Sequence, residues 1–179
     1  MPPEACVFCY GTLLFGEVMR LVTGREFEGL PGSALGWACY RVRGEVFPAL
    51  VAEPGARTRG LVFRRVDARS LAALDAFEGP LYQRRALAIR CDDGATRAAE
   101  AFVLAPGGER ALTREAWDRG DFERRELRAY CARIAASGTP YASRSQEAGS
   151  AGSSGAVAEE LHPVPIRVED EGDPPGASG

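Results

Sequence analysis

The sequence predicts a mixed α+β domain, a curved or barrel-like sheet with helices at its rim. Three observations carry this. Strand-like apolar runs outnumber helical ones, and their order is irregular where a doubly wound parallel sheet would alternate strand and helix. The third is size: 179 residues, 45% of them hydrophobic, suffice for one core-forming domain.

Residues 5–10 form a short apolar run rich in aromatics and cysteine, bounded by Pro3 and Gly11, and read as a buried strand. After a tight loop, Leu14, Phe15, Val18, Met19 and Val22 recur at helical spacing, and Gly24 ends that helix. Residues 35–43, 46–52 and 59–66 read as strands, separated by Gly44-Glu45 and by a turn at Pro54-Gly55. Asp67 is placed to cap a helix over 68–78. Residues 81–91 and 96–104 make a hairpin around Asp92-Asp93-Gly94. A last helix is expected over 121–136, with Phe122, Leu127, Tyr130, Cys131 and Ile134 on its apolar side. The domain therefore spans 1–141. From 142 to 155, eight of fourteen residues are Ser or Gly, too little apolar surface to offset chain entropy, so 142–179 is expected to be a disordered, acidic tail.

Composition excludes several chemistries. The chain has no lysine, so Schiff-base catalysis and a lysine-bearing phosphate loop are absent. The single histidine, His162, falls in the Pro-rich tail, which leaves the body without a Ser-His or Cys-His pair and without a histidine metal site. Residues 1–141 hold 20 Arg against 18 acids, too balanced for a nucleic-acid footprint. No apolar run reaches the roughly 20 residues that cross a bilayer, and five cysteines at irregular spacing suit a reducing compartment, so a cytoplasmic location is expected. Cys6-Val7-Phe8-Cys9 has metal or redox spacing, but positions three apart on a strand face opposite sides, and no second such pair exists. Buried, unreactive cysteines are the expectation.

By elimination, acid-base chemistry falls to carboxylates, tyrosines or cysteines. The helix over 68–78 supplies one carboxylate in an unusual place. Leu71, Leu74 and Phe77 form its apolar stripe, and Glu78 projects within roughly 40° of the stripe centre. It also occupies the last turn, before Gly79-Pro80, where the helix dipole disfavours negative charge. Burial and dipole together raise a carboxyl pKa towards neutrality and suit it to proton transfer. The plain alternative is a Glu snorkelling to solvent at a frayed helix end. Tyr10-Gly11-Thr12-Leu13, between a buried strand and a helix, can aim several backbone N–H groups into one concavity. There Gly11 allows a close approach or a positive φ, and Thr12 offers a hydroxyl and a helix cap. The same pattern is also an ordinary strand-to-helix connection.

Three motifs carry a resemblance. Phe8-Cys9-Tyr10-Gly11-Thr12-Leu13, Gly44-Glu45-Val46-Phe47-Pro48-Ala49-Leu50-Val51, and Leu74-Asp75-Ala76-Phe77-Glu78-Gly79 followed by Tyr82-Gln83-Arg84 resemble, in order and spacing, the γ-glutamyl cyclotransferase superfamily. Residues 117–134 are similar to the C-terminal helix of its avirulence-induced-gene-like branch, known from plants. The resemblance covers roughly residues 5–137. It implies an α+β fold, a small mixed β-barrel with flanking helices. It also implies that Glu78 is the catalytic general acid/base and that Tyr10, Gly11, Thr12 and Leu13 bind the γ-glutamyl group. Tyr82 would wall the site, and Arg84 is as readily structural.

The reaction so implied releases 5-oxoproline from a γ-glutamyl compound with no cofactor and no metal. Two readings stay open beside it: a non-catalytic small-molecule binding module of the same fold, and a carboxylate-based γ-glutamyl hydrolase. Trp37 and Trp117 are expected in core packing rather than in the site. The expected partner is a small-molecule γ-glutamyl substrate, bound by a monomer without nucleic acid or membrane. The leaving group is not legible.

Overall fold

The computed structural model describes residues 4–137. Five strands close a barrel. β1 (Ala5–Cys9) runs antiparallel to β3 (Pro48–Val66) on one side and parallel to β5 (Thr96–Leu104) on the other. β4 (Tyr82–Cys91) pairs antiparallel with β5, β2 (Gly29–Val42) with β4, and β2 returns to β3 to shut the ring. β6 (Leu112–Ala116) extends the far end of β2. Four helices flank the barrel: α1 (Gly16–Thr23), α2 (Ala68–Glu78), α3 (Arg119–Arg125) and α4 (Leu127–Ala136). This is the α+β barrel with flanking helices that the sequence predicts.

Strand alternation sorts the side chains into two cores. Phe8 and Tyr10 of the first strand and its exit join Leu50, Val62, Ile89 and Ala101 in a core built from the strands, inside the barrel. Val7 and Cys9 point the other way, into a core shared with Val18, Leu74, Phe77 and Tyr130 of the helices. One short strand thus feeds both.

The α2 boundaries follow their expected chemistry. The Ser70 N–H donates to the Asp67 carboxylate at 2.9 Å as an N-cap, and Gly79, with φ of 65°, ends the helix. Its buried face is Ser70, Ala73, Leu74 and Phe77, with Leu71 only part-buried, so the stripe is turned slightly from the one hydrophobicity marks. Two small residues do the packing there, and neither stands out in a hydropathy pattern.

Other boundaries depart from expectation for identifiable reasons. Pro54-Gly55 does not separate two strands, because β3 runs through it. Trp37 pairs with Ala52 and Leu35 with Arg57, so residues 53–56 bulge opposite Gly36. Gly36 and Gly55 take φ of 78° and 84°, which makes the bulge possible without side-chain strain. β2 begins at Gly29, in a stretch that resembles a loop by composition. A Cβ at Gly32 would lie 2.9 Å from Ile89 Cγ2, so the missing side chain lets β2 cross β4 closely. A 3-10 turn over Thr12–Leu14 precedes α1, and Phe15, not Thr12, sits at the N-cap with no side-chain bond. The last helix breaks at Glu126 into α3 and α4, which lets Phe122 pack on Phe15 and Tyr130. β6 and the 3-10 turn Gly108–Ala111 had no sequence signal. The expected domain limit at 141 and the tail 142–179 lie outside the described residues.

Gly60 marks the tightest point of the β1–β3 seam. A Cβ there would fall on the Cys9 carbonyl oxygen and within 2.7 Å of the Phe8 ring. Backbone cannot rotate away as a flexible side chain could. Gly60→Ala is therefore expected to lower unfolding stability by about 3 kcal/mol in urea denaturation; a loss under roughly 0.5 kcal/mol, the usual surface effect, would show that the seam opens freely.

Candidate active site

All six residues singled out from the sequence meet in one recess. Tyr10, Gly11, Thr12, Leu13, Glu78 and Tyr82 line it together with Phe8, Cys9, Phe47, Pro48, Phe77, Phe102 and Tyr130. β1 delivers the loop from one side and α2 delivers Glu78 from the other. The space enclosed is about 30 Å³, room for a water or two, so a larger ligand enters only as the walls part.

Glu78 is the electrostatic centre. Its carboxyl is pushed up from 4.5 to about 8 by desolvation. Among the described residues no cation compensates it, since Arg84, the nearest basic candidate along the chain, pairs with Asp75 at 3.0 Å. That pairing gives Arg84 a structural role. Burial, and then the Glu78 charge, drive Cys9, Tyr10 and Tyr82 well above their ordinary values. A carboxylate that titrates near 8 can both accept and return a proton at neutral pH.

The tyrosine hydroxyls have structural partners. Tyr10 donates to the Phe102 carbonyl at 2.5 Å and accepts from the Leu50 N–H at 3.2 Å. Tyr82 donates to the Pro48 carbonyl at 2.7 Å. Tyr10 and Tyr82 therefore shape the recess with their rings while their oxygens hold the barrel strands. Gly11 meets the close-approach expectation, not the positive-φ one: its φ is −114°, and a Cβ would sit 2.9 Å from Pro48 Cγ. Thr12 is buried, with its hydroxyl 3.5 Å from that of Tyr130.

Sequence reading left out three contributors. Pro48 packs against Gly11 and anchors Tyr82, and Phe47 stands beside it; both fall in the second motif, which carried no assigned role. Tyr130 reaches the recess from α4, and its only sequence signal was membership of an apolar helix face. Trp117 donates from Nε1 to the Val46 carbonyl at 2.8 Å and stacks near Phe122, and Trp37 lies under the Arg85 guanidinium. Neither tryptophan lines the Glu78 recess. Cys6 and Cys9 are both free thiols, and no group of three His, Cys, Asp or Glu among the described residues is placed to hold a metal. No described helix is long and apolar enough to cross a membrane.

Comparison with known proteins places the chain in a family and shows its fold. A protein from Arabidopsis thaliana named Protein AIG2 C is 26% identical over 103 residues, 57% of this chain and 62% of its own length. The chain thus spans under two thirds of that relative. A solution structure of another Arabidopsis thaliana protein superposes with a TM-score of 0.60 at 19% identity, covering 89% of this chain and 96% of that one. A structure described as γ-glutamyl cyclotransferase superposes at 0.51 with 15% identity, covering 57% and 68%. These likenesses show a shared barrel. The family model for γ-glutamyl cyclotransferase, AIG2-like, matches residues 7–124, a span that includes the loop 10–13, Glu78 and Tyr82, and the chain belongs to that family.

Proposed function

We propose that the protein is a γ-glutamyl cyclotransferase, in which the α-amino group of a γ-glutamyl compound attacks its own γ-carbonyl. The N–C bond to the leaving group breaks, and 5-oxoproline and an amine or amino acid depart. One observation carries this reading: the desolvated Glu78 carboxyl opens into the same recess as the loop 10–13. An ammonium cannot attack until it loses a proton, and an amine leaves poorly until it gains one. Glu78 takes the first proton and returns it to the departing nitrogen, two transfers each worth about 10² to 10⁴ in rate. The 3-10 turn begins its hydrogen bonding at Leu14, whose N–H donates to the Gly11 carbonyl, so the amides of Gly11, Thr12 and Leu13 are left to face an α-carboxylate or an oxyanion.

The first test is Glu78→Gln, which should retain the barrel and abolish 5-oxoproline release, followed by mass spectrometry of the product. Free glutamate, heavier by one water, would instead identify a hydrolase. In the wild-type enzyme kcat/KM should climb with pH through an inflection near 8, the free-enzyme titration of Glu78. A flat profile from 6 to 9 would remove Glu78 from the proton path.

The same titration makes a stability prediction. An unperturbed Glu loses its proton near 4.5, so between there and about 8 the unfolded chain releases a proton that the folded chain keeps. Folding stability from this group is therefore undiminished below 4.5 and falls as pH rises through that window. Glu78→Gln should melt above wild type at pH 8, with the gap closing towards pH 4.5 in calorimetry.

Gly11→Val forces atoms into Pro48 and tightens the mouth of the recess. It should raise KM by about tenfold or more, on the scale of one lost well-made contact, and normal steady-state kinetics in this variant would reduce Gly11 to turn chemistry.

A further inference from the structure

A second cavity, of about 620 Å³, adjoins the Glu78 recess, and Tyr10 lines both. Leu13 lines the first and Leu14 the second, so the loop borders both. This larger space is preformed and of a size that ordinarily houses a small organic molecule. Trp117 and Tyr40 give it aromatic surface, and its charged walls are Glu53, Arg57, Arg59 and Arg119.

The charges are not equally committed. Arg59 makes a two-pronged bridge to Asp92, at 2.8 and 3.3 Å, and Glu53 accepts from the Tyr40 hydroxyl at 2.8 Å. Arg57 and Arg119 pair with no carboxylate among the described residues, yet both are held in place. Arg57 donates through Nε to Ser33 Oγ at 3.0 Å, which leaves the outer edge of its guanidinium for a ligand. Arg119 stacks over the Phe15 ring, 5.4 Å from its centroid. Two guanidinium groups oriented in advance at one cavity suit a planar anion that accepts paired N–H bonds.

We propose that this cavity receives the leaving half of the substrate, and that Arg57 and Arg119 select γ-glutamyl compounds whose departing amine bears a carboxylate over those that leave a plain amine. The proposal rests on the γ-glutamyl reading of the Glu78 recess. With the glutamyl group on the Leu13 side of the loop, the departing group would extend along the loop's edge to the Leu14 side. Its apolar body meets Trp117 and Tyr40, and its carboxylate meets the two arginines. The carboxylate takes no part in bond breaking: the γ-amide C–N bond cleaves, the nitrogen leaves with the proton from Glu78, and the anion only fixes position.

The test uses a matched pair, γ-glutamyl-phenylalanine and γ-glutamyl-phenethylamine, which differ by that carboxylate alone. Each is titrated calorimetrically into the full-length Glu78→Gln protein, so that binding is read without turnover. The phenylalanine compound should bind at least tenfold tighter. Adding Arg57→Gln or Arg119→Gln should shrink the ratio below threefold, while Arg110→Gln, outside the cavity, should preserve it. Equal affinities, a ratio indifferent to both arginines, or no binding of either compound would overturn the proposal. Release of 5-oxoproline by the wild-type enzyme is scored separately. Turnover of both compounds with equal KM defeats the arginine assignment and keeps the cyclotransferase, whereas tight, arginine-dependent binding without 5-oxoproline does the reverse.

Discussion

The site depends on the hydroxyl of Tyr10. β1 ends at Cys9, and immediately beyond it the chain turns into the loop over residues 10–14. The Tyr10 hydroxyl ties two strands together there, donating to the Phe102 carbonyl on β5 and accepting from the Leu50 N–H near the start of β3. Removing it would strand a buried donor and a buried acceptor, each costing about 1 to 3 kcal/mol. Because Gly11 follows directly, the position of the loop is inherited from this one atom.

The opposite wall is set by a cost rather than a bond. Glu78 follows Ser70, Ala73, Leu74 and Phe77 at the end of α2, part-exposed as a residue, and lines the recess. Burial without a compensating cation disfavours the charged form, and the cation that could have relieved it is diverted: Arg84, four residues after Gly79-Pro80, bonds Asp75 on the outer part of the helix. Had Arg84 reached Glu78 instead, its charge would pull the carboxyl pKa back down against the desolvation that raises it. The pairing of Asp75 with Arg84 thus keeps that positive charge away from Glu78.

Much of this was legible in the sequence because each signal was local. The stripe on α2, the cap at Asp67 and the stop at Gly79 are matters of spacing and turn chemistry, and together they aim Glu78. Strand identity was equally readable where apolar runs were short and bounded. What escaped reading was non-local. Pro54-Gly55 has the composition of a turn, and only its pairing opposite Gly36 makes it a bulge within one strand. Gly29-Leu30-Pro31-Gly32-Ser33 looks like a loop until β4 is laid against it, where the lack of side chains becomes the requirement. The helix break at Glu126 has no glycine or proline to announce it. Tyr130 was legible as a helix-face residue but not as a wall of the site, since its partner Thr12 is 118 residues away.

The absence of lysine and histidine from the body gives the electrostatics their weight. Arginine keeps its proton at any physiological pH, so none of the basic side chains can shuttle one. Within the recess, Tyr10, Tyr82 and Cys9 are driven upward by burial and then by the charge of Glu78 itself, out of reach of neutral chemistry. The effect is mutual in its usefulness. The same desolvation that brings the carboxyl to about 8 holds its neighbours protonated and neutral, so under the proposed reaction a proton taken from an ammonium would have one destination. A recess with a second group titrating in that range would divide the proton between two sites and weaken the transfer to the leaving nitrogen. On the proposed reading, a single desolvated carboxyl with no paired cation among the described residues would serve a reaction whose two difficult steps are both proton transfers.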